Sequence, residues 1–173
     1  MKTVALFGTS HSYQVPGGGG SPFRATIEKA CVSLKVCAIA EEFCVQELRN
    51  RNVDASICEQ IATRFNIRHR YCDLNPEERE KLGVRHESLI RVEGWQLDWT
   101  RERIEREVRA SHAIRERHWL NQIVDMNCWP TLFVCGADHV SPFGKLLHQN
   151  GITVETVERD WEPGGINRQA RSR

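Results

Sequence analysis

A chain of 173 residues with 24 basic and 23 acidic side chains, 40% apolar and 27% charged residues has the make-up of an ordinary globular domain. That length can bury roughly two-thirds of the unfolded surface, so a core is possible without disulfide staples. The net charge of +1 gives no global reason to expect a nucleic-acid or membrane partner.

Thr3 to Phe7 is a short β-prone run that ends at Gly8 and reads as a buried first strand. Ser12 to Pro22 contains four consecutive glycines, Gly17 to Gly20, and reads as a mobile loop, either a surface connector or a flap over a site. Phe23, Ile27, Ala30, Cys31 and Leu34 recur at helical spacing and predict an amphipathic helix. Val36 to Ala40 reads as a fully buried strand closed by Glu41 and Glu42. Ser56 caps a helix through Phe65, with Glu59 at the capping-box position.

Ile67 to Cys72 is another strand, ending at Asp73. Asn75-Pro76-Glu77-Glu78 is a helix start, with proline at the first helical position and acids in the first turn. The segment between Leu74 and Asp98 shows no further helical lid. Asp98 to Met126 is charge-rich and helical, with Ile114, Trp119, Leu120 and Ile123 as the inward stripe of its second half. Thr131 to Cys135 is the clearest buried strand and ends in Gly136. A helix starts at Ser141-Pro142 and stops near Gly151, and Ile152 to Val157 is a final strand.

Alternating strands and helices predict an α/β fold: a central, mostly parallel sheet flanked by helices, forming a single domain over residues 1–161. Residues 162–173, with Gly164-Gly165 and three arginines, read as a disordered basic tail. The seven cysteines contain no C-x-x-C pair and mostly sit in apolar runs, which favours free thiols in a reducing compartment. Val4 to Phe7 is too short for a signal-peptide core, and no stretch approaches roughly 18 apolar residues. The expected location is the cytoplasm.

Sheets of this kind bind ligands at the carboxyl ends of their strands. Two histidines fall there in the same local context, His11 after Gly8-Thr9-Ser10 and His139 after Gly136-Ala137-Asp138. Imidazole can bind a metal, act as acid or base, or orient water. Glu41 and Glu42 stand at another strand end, and because adjacent side chains point apart, at most one faces a shared site. Asp73, after the Ile67 to Cys72 strand, is a further candidate, although Asp73-Leu74-Asn75-Pro76 reads first as an ordinary helix entry. Arg115, Glu116 and Arg117 lie on the charged helix that leads into the second motif strand. His69, His86, His112 and His148 lack such context and read as surface or structural residues, and Trp95, Trp99 and Trp119 as packing between the long helix and the sheet.

In their order along the chain, Gly8 to His11, Glu41-Glu42, Glu116-Arg117 and Gly136 to His139 resemble the TraB/Tiki and ChaN/erythromycin-esterase-like superfamily. The resemblance spans residues 3 to about 158, with His118 standing where the family pattern has asparagine. It implies an EreA/ChaN-like α/β fold with one site built from both G-x-x-H strand ends. Some members are metal-dependent peptide hydrolases, others esterases or haem-binding proteins.

The leading expectation is a metal-dependent hydrolase of peptide or ester bonds. His11, His139 and Glu42 or Glu41 would hold a divalent metal (Mn, Co or Zn). Such a metal polarises a carbonyl or lowers the pKa of bound water to about 7. Glu116 would move a proton or orient a histidine, and Arg115 or Arg117 would stabilise the oxyanion. The expected partner is a small-molecule or peptide substrate, with no nucleic acid and no membrane. The alternative is a non-catalytic small-molecule or haem-type binding protein on the same scaffold.

Overall fold

The five expected strands pair into one sheet in the computed structural model, which describes residues 1–17 and 20–164. They are β1 (Thr3–Thr9), β2 (Ala38–Glu41), β3 (Arg68–Tyr71), β4 (Thr131–Gly136) and β5 (Thr153–Trp161). Their spatial order is β3-β2-β4-β1-β5, and every pair is parallel. The helices are α1 (Gly20–Leu34), α2 (Val45–Asn50), α3 (Ile57–Phe65), α4 (Pro76–Lys81), α5 (Glu87–Gln96), α6 (Arg101–Met126) and α7 (Val140–Gln149).

Period-two alternation in the strands sorts the core into two layers. Val4, Leu6, Ala38, Ala40, Phe133 and Cys135 face α6 and α7, where they meet Trp119, Ile123, Phe143 and Leu147. Ala5, Phe7, Ile39, Leu132 and Val134 face α1 and α3, against Phe23, Ile27, Ile57 and Ile61. Each of these fully buried large side chains stabilises the fold by roughly 1.5–3 kcal/mol before entropy is set against it.

The helix boundaries follow local chemistry. Ser56 accepts from the Glu59 amide as α3 starts, and Asn66 ends it in the left-handed region. Asn75 and Glu78 form a reciprocal capping box on α4. Thr100 caps α6, which runs unbroken for 26 residues to Asn127.

Connections moving toward β3 carry helices on one face of the sheet, and those moving toward β5 carry them on the other, as right-handed crossovers require. The chain leaves β1 for β2 through α1 and leaves β4 for β5 through α7, on opposite faces. β1 and β4 are neighbours, so a crevice opens between their carboxyl ends.

Several local expectations change. α1 begins at Gly20 rather than Phe23. The segment after Leu74 does carry helical cover, because α5 packs on α6 through Gly94, where an added Cβ would stand 2.6 Å from Ile104 Cγ1. Ile114 is not inward but 38% exposed, since it lies off the helical phase of Trp119 and Ile123. Trp119 is fully buried as packing, whereas Trp95 is 80% exposed. Of the four-glycine loop, residues 18 and 19 lie outside the described residues, as does the tail from 165 onward. Among the described residues, no helix is long and apolar enough to cross a membrane.

Candidate functional site

β1 and β4 pair with Gly8 opposite Cys135 and Thr9 opposite Gly136. The two G-x-x-H motifs are therefore staggered by one residue across adjacent strands. Each strand continues into a short 3-10 turn, His11–Tyr13 and Ala137–His139, that carries its histidine back over the sheet edge. The glycines serve close approach rather than a tight turn. A Cβ on Gly8 would lie 2.1 Å from the Arg159 carbonyl oxygen on β5. A Cβ on Gly136 would enter the space between Glu42 Oε2 (3.4 Å) and His11 Nε2 (3.6 Å). Neither glycine has a positive φ.

Glu42 is the centre of the cluster. Its Oε2 accepts the Gly136 amide at 2.7 Å, and its Oε1 pairs with Arg115. His11 Nε2 stands 3.4 Å and His139 Nε2 3.6 Å from that same Oε1. The Nδ1 atom of each imidazole meets a protein partner. His139 Nδ1 is 2.7 Å from Glu116 Oε1, and a carboxylate can only accept there, so the ring proton sits on Nδ1. His11 Nδ1 is 3.5 Å from the side-chain amide of the buried Gln14.

Arg115 is fixed as firmly. Its Nε donates to Asp73 Oδ1 at 3.0 Å and its Nη2 to Asp73 Oδ2 at 2.8 Å, besides the bond to Glu42. The Trp119 indole also donates to Asp73 Oδ1, at 3.0 Å, and Arg79 pairs with Oδ2. Nη1 of Arg115 has no hydrogen bond among the described residues, and Arg115 is one of the residues that line the cavity. One stretch of α6 thus ties the ends of β2 (Glu42), β3 (Asp73) and β4 (His139).

Burial raises the cost of the Glu42 and Asp73 charges, yet the histidine and arginine side chains around them prevail. Glu42 is held far below the usual carboxylate range by His11, Arg115 and His139. Asp73 is lowered by Arg115 and Arg79 against its burial. Burial disfavours protonated His11, but Glu42 outweighs it and the pKa rises. The His112 ring lies 4.3 Å from the His139 ring, and its pKa goes the other way, down to about 4, through burial and then its neighbours His139 and Arg115.

These groups surround a cavity of about 700 Å³. His11, Glu42, Arg115 and His139 line it, together with Arg85, His86 and Glu87, which lead into α5. The size suits a small molecule or a short peptide segment.

Of the residues singled out from sequence, His11, Glu42, Arg115, Glu116 and His139 come together. Glu41 does not join them, because it shares the β2 face of Ile39 and is buried beneath α3, bonded to Ser56 and, at 2.7 Å, to His69. Arg117 is exposed, a helical step out of phase with Arg115 and Glu116. Asp73, read from sequence first as a helix entry, and His112, read as a surface or structural residue, also belong to the site, as does Gln14, which carried no signal. His112 carried a signal, being three and four residues from Arg115 and Glu116.

The expected divalent metal does not fit this arrangement. Both Glu42 oxygens are engaged by protein donors, and the oxygen facing the imidazoles is paired with the Arg115 guanidinium, which would oppose a second cation there. Among the described residues no group of three His, Cys, Asp or Glu side chains is set to hold a metal ion. No family model, curated protein or solved structure matches this chain.

Proposed function

We propose that this chain is a hydrolase of ester or peptide-type carbonyl bonds, working by acid–base chemistry at the β1–β4 crevice. The observation that carries the reading is His139. Glu116 fixes its proton on Nδ1, which leaves Nε2, 3.6 Å from Glu42 Oε1, unprotonated in a residue that lines the cavity together with Arg115.

In this reaction His139 Nε2 takes a proton from a water molecule, and the oxygen of that water attacks the substrate carbonyl carbon. Negative charge gathers on the carbonyl oxygen, where Arg115 Nη1 donates to it. Asp73 and Glu42 hold the guanidinium in place, so the donor needs no reorganisation as the charge forms. His11 stands nearer the mouth, with a side chain 36% exposed. Its raised pKa keeps imidazolium available to protonate the leaving alcohol or amine. No step runs through a metal ion. The reading uses both G-x-x-H strand ends, as the superfamily resemblance implies.

The test is turnover of p-nitrophenyl acyl esters and peptidyl-aminocoumarins by wild type, His139→Ala and Glu116→Gln, each with and without a chelator. The expected result is wild-type turnover that survives chelation and falls about 10²–10⁴-fold in His139→Ala. Equal turnover by His139→Ala, or turnover that needs added metal, would overturn the proposal.

A further inference from the structure

Five of the seven thiols are buried, and the remaining two lie together at the opposite end of the sheet from the cavity. Cys37 is exposed and Cys128 half-buried. Cys37 directly precedes β2, and Cys128 lies in the turn between α6 and β4. The strands hold this pair in place. Ala38 is paired with Thr131, the Cys37 amide donates to the Pro130 carbonyl at 2.8 Å, and the Arg68 amide donates to the Cys37 carbonyl at 3.2 Å.

The Cys128 thiol donates to that same Cys37 carbonyl, with Sγ 3.2 Å from the oxygen. The Cys128 pKa is raised by its partial burial and then by the neighbouring Cys37 thiol, while Arg68 pulls the other way. Arg68 is itself anchored on the Met126 carbonyl at 2.9 Å.

We propose that Cys37 and Cys128 form a reactive surface dithiol that closes to an intramolecular disulfide when it meets a small-molecule disulfide. The exposed Cys37 thiolate attacks one sulfur of the reagent. A mixed disulfide forms, and one reagent thiolate leaves. The Cys128 thiolate then attacks the Cys37 sulfur and expels the second reagent thiolate. The pair loses two electrons and two protons, and the reagent disulfide is reduced to two thiols. The other cysteines do not compete. Burial pushes the thiols of Cys31, Cys44, Cys58, Cys72 and Cys135 up, and thiolate is the attacking form. The bridge would tie the start of β2 to the turn before β4 and close a loop of about half the chain, which raises the melting temperature. The inference does not depend on the hydrolase reading, because these residues are not part of the cavity wall.

The experiment treats the native protein with oxidised glutathione and maps its peptides without reduction. The expected product has lost two hydrogens, joins the Cys37 and Cys128 peptides, and melts about 4 °C or more above the reduced protein. Cys37→Ser should resist the reagent. Cys128→Ser should stop at a glutathione adduct on Cys37, with no rise in melting temperature. Wild type that stops at the Cys37 adduct, keeps seven free thiols or bridges a different pair overturns the proposal. The wild-type map decides the matter even if a variant folds poorly.

Discussion

Glu41 and Glu42 leave the same strand one residue apart, and both are buried, yet they do different work. Glu41 turns under α3, where one oxygen takes both Ser56 and His69 and the other meets no N–H or O–H donor among the described residues. It borders a packed layer, and burial followed by Glu41 pushes the Cys58 thiol beside it well up. Glu42 turns the other way, uses both oxygens, and lines a cavity together with a guanidinium and two imidazoles. A buried Glu–His contact is therefore not enough to mark a functional site. What separates the two is an adjoining cavity and cations that are themselves held by further carboxylates.

The comparison breaks hardest at Asp73. Asp73→Ala strands Arg115 and removes the Trp119 indole acceptor, and should destabilise the fold by about 3–5 kcal/mol in urea titration. A loss below 1 kcal/mol would show that Arg115 is not held this way. The two glutamates are separated next. Glu42→Gln should lower kcat/KM about 100-fold. Glu41→Gln should leave it within about twofold while costing on the order of 1 kcal/mol of stability. Equal effects on activity would erase the distinction.

A smaller effect belongs to His112, which faces His139, Arg115, Glu87 and Glu42. Its pKa is about 4 in the fold against 6.5 in the unfolded chain, so the unfolded chain protonates first as pH falls. Its contribution is fully present above pH 6.5 and drains away toward pH 4, on the order of 2 kcal/mol in all. His112→Phe should flatten that part of the stability–pH curve, and an unchanged slope would refute the assignment. Gln14→Met should have the smallest effect. It removes a buried amide oxygen that has no partner among the described residues, so stability should stay within about 0.5 kcal/mol. His11 loses its Nδ1 contact, and kcat/KM should fall several-fold with a displaced pH profile.

Much of this architecture was readable from local pattern. Period-two apolar runs marked the strands, and the glycine-bounded ends located His11 and His139. Glu42 could be named only together with Glu41, because sequence shows that neighbours diverge but not which one meets the cavity. That depends on β2 lying between β3 and β4, a non-local fact. Asp73 was hidden by the real helix start beside it, for Asn75 is the cap and Asp73 is free to take Arg115. Arg117 was an avoidable choice. The phase set by Trp119 and Ile123 already points Arg115 and Glu116 inward and Arg117 out. The cover supplied by α5 was obscured because that helix exposes Leu89, Val92 and Trp95 and lacks an evident polar face.

The single turn of α6 that ties three strand ends also fixes where the chain can change length. One added or lost residue rotates everything beyond it by about 100°. Between His112 and Trp119 such a change would swing Arg115 and Glu116 off Asp73, Glu42 and His139, even if every side chain were kept. Before Thr100 or after Asn127 the helix is already capped, and a loop can absorb the same change. Substitutions within α6 are thus negotiable one by one, whereas insertions and deletions belong at its two ends.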